Sequence, residues 1–103
     1  MNLDSTPEIK RLSECLAAMH SPEEVTALLN DLFTIREMQD ISQRLSVAIM
    51  LDRGHSYSEI EKETGSSAST IARVSKCLTH GNDGYHYAIR ALRSTTPNNS
   101  VQN

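Results

Sequence analysis

Apolar residues recur along the chain with the spacing of an α-helix. From Pro7 onward, Ile9, Leu12, Leu16 and Met19 follow one another at intervals of three or four residues, which places them on one helical face. Similar stripes occupy the later segments. The pattern predicts an all-α fold of about six helices.

Serine or threonine followed three residues later by glutamate predicts where two of these helices begin. Ser21-Pro22-Glu23-Glu24 starts a second helix that runs to about Leu32, because such a pair can satisfy the free amides of the first turn. Thr34-Ile35-Arg36-Glu37 starts a third, which should stop at Gly54. With apolar residues on two faces, this long helix is the expected centre of the domain.

Two short helices separated by a glycine should follow. Ser58-Glu59-Ile60-Glu61 caps the first, Gly65 ends it, and Ser66-Ser67 can cap the second, which continues from Ala68 to about Thr79. This is the pattern of a helix-turn-helix, over about 58–79, whose second helix enters the major groove of DNA.

A last amphipathic helix is predicted from Tyr85 to Arg93. Residues 94–103 are polar and rich in asparagine, a composition that favours disorder. The expected organisation is one helical domain over 1–93 with a flexible tail over 94–103.

The second helix of the motif has two different faces. One set, predicted to pack inward, comprises Ala68, Ile71, Ser75 and Leu78, and the other comprises Ser69, Arg73, Lys76 and His80. Short hydroxyls and free amides at a helix start can bind phosphates and base edges, and cations attract the backbone. The predicted DNA-binding residues are Ser66, Ser67, Ser69, Thr70, Arg73 and Lys76.

Charge is compatible with this site. The 103 residues carry a formal net charge of −3, yet the stretch between Glu63 and Asp83 has no carboxylate and contains Arg73 and Lys76. Association depends on the local potential and not on the chain total. The alternative interpretation is that the serines only cap a helix and the cations are solvated.

Other functional classes find little support. Cys15 and Cys77 have neither the spacing of a redox pair nor that of a disulfide framework, and Cys77 with His80 supplies too few ligands for zinc. No catalytic motif is present, so we predict no enzyme, no metal and no catalytic residue.

No run is apolar enough for a membrane span, and the expected location is the cytoplasm. A small core with 4% aromatic residues favours dimerisation.

The sequence resembles the tryptophan repressor family, in particular its short repressor-related branch, from about Leu28 to Leu92. The residues that carry the resemblance are Leu28-Leu29, Thr34, Gln43-Arg44, Arg53-Gly54, Ser58-Glu59-Ile60, Gly65 and Ser69-Thr70-Ile71-Ala72-Arg73. The resemblance implies an intertwined homodimer whose two helix-turn-helix motifs bind successive major grooves of a palindromic, double-stranded operator.

The resemblance also implies an amino-acid corepressor between the central helix and the recognition helix. The family's ligand pocket corresponds here to Thr34, Arg44 and Arg73, while Val74 and Cys77 replace a glycine and a serine. A valine would fill space that an indole needs. The expected corepressor is therefore a smaller amino acid than tryptophan, or there is no ligand. The resemblance to related repressors of this branch makes histidine the first candidate.

Together these features predict a sequence-specific DNA-binding transcriptional regulator, most simply a repressor. The alternative is a helical dimeric protein-interaction module that has lost DNA binding, as Glu61 near the expected DNA face and the net negative charge would suggest.

Overall fold

The computed structural model of the protein describes residues 6–95. Within this range the chain forms six helices and no strand, which confirms the all-α prediction. The helices are α1 (Pro7–Ala18), α2 (Pro22–Leu32), α3 (Ile35–Asp52), α4 (Tyr57–Thr64), α5 (Ala68–His80) and α6 (Gly84–Thr95). None of these helices is long and apolar enough to cross a membrane.

Capping hydroxyls begin the helices largely where the sequence predicts. Ser21 Oγ accepts a hydrogen bond from the Glu24 amide at 3.2 Å. At the start of α3, the Glu37 amide donates to Thr34 Oγ1 at 3.1 Å, and the Thr34 amide donates to Glu37 Oε1 at 2.9 Å. This reciprocal pair satisfies two amides that the helix itself leaves free.

The cap of α4 differs from the prediction. Ser56, and not Ser58, is the N-cap, and it exchanges hydrogen bonds with Glu59. Both serines precede a glutamate by three residues, so the pattern alone allows either choice. Ser56 has the extended backbone of a cap, and Ser58 lies inside the first turn.

The chain divides into two compact units, with the boundary between Met38 and Gln39. The first unit contains α1, α2 and the first turn of α3. None of its described residues, 6–38, is buried. Several of its large apolar side chains are exposed, with Leu12 at 39%, Leu32 at 52% and Ile35 at 79% of full exposure.

The second unit has a core of its own, in which residues of α3, α4 and α5 meet. The fully buried members are Val47, Ala48, Ile60, Ile71 and Val74. Half-buried apolar side chains of α3, α5 and α6 pack around them. Burial of this aliphatic cluster fixes α4 and α5, the two helices of the predicted motif, against the central helix.

Helix α6 is attached to both ends of this assembly. His86 Nε2 lies 2.7 Å from the Leu78 carbonyl oxygen near the end of α5, and Arg93 donates to Asp52 at 2.6 Å at the end of α3. The helix reaches Thr95, two residues beyond the predicted end. The rest of the predicted flexible tail, 96–103, lies outside the described residues.

Candidate nucleic-acid interface

The start of α5 presents a cluster of hydroxyl groups. Ser67 is the N-cap, and its Oγ accepts a hydrogen bond from the Thr70 amide at 3.2 Å. The same oxygen lies 3.1 Å from Ser69 Oγ and donates to Thr70 Oγ1 at 3.1 Å. Ser67 and Ser69 are exposed and Thr70 is half-buried, so hydroxyls from the first turn face the solvent together.

A short turn brings this cluster directly after α4. Gly65 has a φ of +76° and closes α4 by donating its amide to the Glu61 carbonyl at 2.9 Å. This left-handed conformation is cheap for glycine and strained for other residues. Thr64 stabilises the turn, because its hydroxyl donates to the Ile60 carbonyl at 2.7 Å and accepts from the Ser66 amide at 3.1 Å.

The two predicted cations of α5 are free for an external partner. Arg73 and Lys76 are exposed, and within residues 6–95 neither forms a salt bridge. The sequence places no carboxylate between Glu63 and Asp83. An unpaired arginine and an unpaired lysine on one helix favour binding of phosphate oxygens.

Ser66 does not join this exposed surface. It is only 5% exposed, and its buried Oγ has no hydrogen-bond partner among the described residues. Its inclusion among the predicted DNA-contacting side chains is therefore corrected: the side chain points into the protein, one residue before the cap. The sequence offers no signal for this, since neighbouring serines in a turn differ only in orientation.

The inner face of α5 also differs in part from the expectation. Ile71 and Val74 are buried at 0% and 1% exposure, and Leu78 is half-buried. Ala68, expected to pack inward, is exposed. Val74, predicted to line a ligand cavity, belongs to the core cluster, where it fills space between helices.

The other predicted ligand residues have different surroundings. Thr34 belongs to the first unit and uses its hydroxyl in the cap of α3. In the second unit, Arg44 is half-buried and Cys77 is exposed. Both influence the pKa of the Tyr85 hydroxyl on α6. Burial raises this pKa, Cys77 raises it further and Arg44 lowers it. Arg44, Cys77 and Tyr85 are therefore electrostatic neighbours.

Two shallow grooves border α4. One, of about 340 Å³, is lined by Ser42, Gln43, Ser46, Met50, Glu63 and Thr64. The other, of about 330 Å³, is lined by Met50, His55, Glu59, Lys62 and Glu63. Neither of these two grooves is lined by a predicted ligand residue. Across the described part of the chain, no group of three or more histidine, cysteine or acidic residues is arranged to hold a metal ion.

Comparison with known proteins agrees with the resemblance noted in the sequence. The sequence model of the family described as Trp repressor protein matches residues 7–93. The chain belongs to this family. It is 41% identical over 93 residues to the uncharacterized protein YerC of Bacillus subtilis (strain 168), covering 90% of this chain and 89% of YerC.

Solved structures of family members have the same fold. A candidate Trp repressor from Staphylococcus aureus superposes with a TM-score of 0.80 and 35% identity, over 85% of this chain and 88% of the other. A TrpR-like protein from Eubacterium eligens ATCC 27750 gives a TM-score of 0.80 and 34% identity, over 85% and 91% of the two chains. The order of helices described above is thus an arrangement shared with Trp repressor relatives.

Proposed function

We propose that the protein is a sequence-specific DNA-binding transcriptional regulator, most simply a repressor, that contacts DNA through α5. The observation that carries this proposal is the exposed surface of that helix, where unpaired Arg73 and Lys76 follow the hydroxyl cluster of Ser67, Ser69 and Thr70. Membership of the Trp repressor family supports it.

The dimensions and chemistry of α5 fit a major groove. Thirteen residues give a helix about 20 Å long, and the groove is wide enough for one α-helix. The first-turn hydroxyls would contact phosphates or base edges, and Arg73 and Lys76 would hold the phosphate backbone. Because the remaining surface is rich in acidic residues, binding to non-specific DNA should be weak.

We propose that the regulator acts as a homodimer on a palindromic operator. Residues 6–38 contain no buried side chain, although α1 and α2 carry apolar stripes, and a second copy of the chain could cover them. Two motifs related by a two-fold axis would then bind half-sites about one DNA turn apart.

A small amino acid other than tryptophan is our proposed corepressor. Arg44 and Arg73 could bind its carboxylate and Cys77 could line its site, with Thr34 contributed by a neighbouring chain, while the buried side chain of Val74 limits the room for an indole. Titration of single amino acids into a protein–DNA binding assay tests this: one of them should tighten binding at least severalfold. No change with any of them would mean that DNA binding is not controlled by an amino acid.

The test of the main proposal is binding to a duplex selected by the protein from a random-sequence library. Affinity should fall steeply with salt, with a slope of about −0.9 in log K per phosphate contact. Arg73→Ala and Lys76→Ala should each weaken binding and reduce the slope by about one. Lys10→Ala, which removes an exposed cation from α1, is the control and should change neither.

Failure to select any duplex at low salt would overturn the proposal. The helical dimeric protein-interaction module would then be the better account. In that case Arg73→Ala and Lys76→Ala should leave the function of the protein intact.

A further inference from the structure

A hydrogen bond joins the central helix to the turn that precedes α5. Gln43 Nε2 of α3 donates to the backbone carbonyl of Thr64 at 2.8 Å, in a half-buried position, across 21 residues of sequence. Thr64 is the last residue of α4, and its carbonyl is one of those that the helix cannot satisfy internally. The amide of Gln43 therefore has an acceptor at a defined point of the motif.

Thr64 also connects the Gln43 hydrogen bond to the residues that precede α5. Its hydroxyl accepts from the Ser66 amide at 3.1 Å, and Gly65 is fixed by its bond to Glu61. Ser67, the N-cap of α5, follows Ser66 directly. The hydroxyl cluster is thus separated from the Gln43 hydrogen bond by one short, internally bonded turn.

Gln43 does not contribute to the hydrophobic core. It is half-buried and lines the open 340 Å³ groove beside Thr64, whereas the fully buried residues of α3 are Val47 and Ala48. Loss of its amide should therefore change the orientation and mobility of the turn more than the stability of the fold.

We propose that Gln43 is a positioning residue for DNA recognition: its hydrogen bond to Thr64 holds the turn against α3, so that Ser67, Ser69 and Thr70 meet DNA in one orientation. The proposal rests on the proposed function. Without the bond the turn samples further orientations, only a fraction of molecules is competent for sequence-specific binding, and the apparent affinity for the selected duplex falls by that fraction.

The test compares Gln43→Met with Gln39→Met. Methionine keeps the length of the side chain and removes the donor, and Gln39 is an exposed glutamine one turn earlier on the same helix. For the selected duplex, Gln43→Met should bind about threefold to tenfold more weakly than the wild type, and Gln39→Met should bind like the wild type.

Two further measurements separate positioning from direct contact and from general destabilisation. The salt slope and the affinity for random-sequence duplex should be unchanged in Gln43→Met, because no phosphate contact is lost. Without DNA, amide hydrogen exchange at Gly65 and Ser66, whose amides are hydrogen-bonded in the turn, should be faster in Gln43→Met, while exchange at the buried Val74 in the middle of α5 should not change. Gln43→Leu, which also lacks the donor and adds no charge, should repeat these results if the methionine variant folds poorly.

Arg73→Ala distinguishes failure of this proposal from failure of the proposed function. If Arg73→Ala weakens binding and Gln43→Met matches the wild type, the positioning role is wrong and the DNA-binding function stands. A reduced salt slope in Gln43→Met would also overturn the positioning role, because it would show that Gln43 contacts phosphate. If the wild type binds no duplex, both proposals fail.

Discussion

Residues 6–38 and 39–95 are built from the same kind of amphipathic helix, but only the second region buries its apolar face. In the second region Val47, Ile60 and Ile71 are completely buried. In the first region no described residue is buried, and Ile35 is 79% exposed. The comparison teaches that a helical stripe predicts a helix and its apolar face, but not the surface that covers that face.

Under the proposed function, the two regions have different roles: one contacts DNA and the other associates with a second chain. The second region has the core that positions α4 and α5, and it carries the exposed cations and hydroxyls proposed to contact DNA. The first region offers α1 and α2 as apolar surface for a second copy. Full burial of one leucine contributes roughly 1.5–3 kcal/mol, so covering several such residues would stabilise a dimer substantially.

The largest expected effect comes from deleting a side chain of the core. Ile71→Ala should lower the free energy of unfolding by about 2–5 kcal/mol, since it removes a completely buried side chain from a packed cluster. Urea denaturation at several protein concentrations measures this. The loss should be the same at each concentration if the mutation acts inside one chain.

Ile35→Ala is the matched variant in the first region. Removing the exposed Ile35 side chain should lower the free energy of unfolding of a single chain only slightly. Any larger loss should arise from a dimer, and it should then appear as a shift of the unfolding midpoint that depends on protein concentration. A large loss that does not depend on concentration would contradict the division between the two regions.

Much of the fold could be predicted from the sequence because its signals are local. The capping pair Thr34 and Glu37 and the left-handed Gly65 depend on residues within one turn of each other, and the structure contains both. The choice between Ser56 and Ser58 as the cap of α4 was wrong, since both satisfy the same local pattern and the packing of the helix decides between them.

The candidate site was predictable only in part because its details depend on tertiary contacts. Exposure of Arg73 and Lys76 agrees with the predicted face, but burial of Ser66 and Val74 depends on where α3 and α4 lie. The bond from Gln43 to Thr64 joins residues 21 positions apart, and no spacing rule connects them. Gln43 could be noted in the sequence only through the family resemblance.

A smaller effect, of about 1 kcal/mol, is expected from Ser67→Ala. The change removes the N-cap of α5, whose loss typically costs 0.5–2 kcal/mol, and it removes a hydroxyl from the proposed DNA contact. The thermal unfolding midpoint and the affinity for the duplex should therefore both decrease. Unchanged affinity for the duplex would show that Ser67 caps α5 and does not contact DNA.

The neighbouring Ser66→Ala should behave in the opposite way. Its buried hydroxyl has no partner among the described residues, so removing it relieves the cost of an unpaired polar group, which is about 1–3 kcal/mol at most. We expect equal or slightly higher thermal stability and unchanged duplex affinity. A clear loss of affinity would show that this side chain reaches DNA after all.

The smallest expected effect concerns pH and the cap of α4. The Ser56 amide lowers the pKa of Glu59 and has the largest effect; desolvation opposes it, and the Ser56 hydroxyl and His55 lower the pKa further. Because the pKa of Glu59 is depressed in the folded state, ionised Glu59 stabilises the fold. This stabilisation is fully present above the ordinary pKa range of glutamate and is lost as the pH falls through the folded pKa. The protection factor of the Ser56 amide, which corrects hydrogen exchange for the intrinsic effect of pH, should fall on acidification because this amide donates to Glu59, and Glu59→Gln should reduce that dependence.

The central claim, that one region associates two chains and the other binds DNA, is tested most directly by the stoichiometry of the protein–DNA complex. Sedimentation equilibrium with the selected duplex should give two chains per duplex, with two-fold related half-sites about one DNA turn apart. A stable complex of one chain per duplex, or the absence of any complex, would contradict the account.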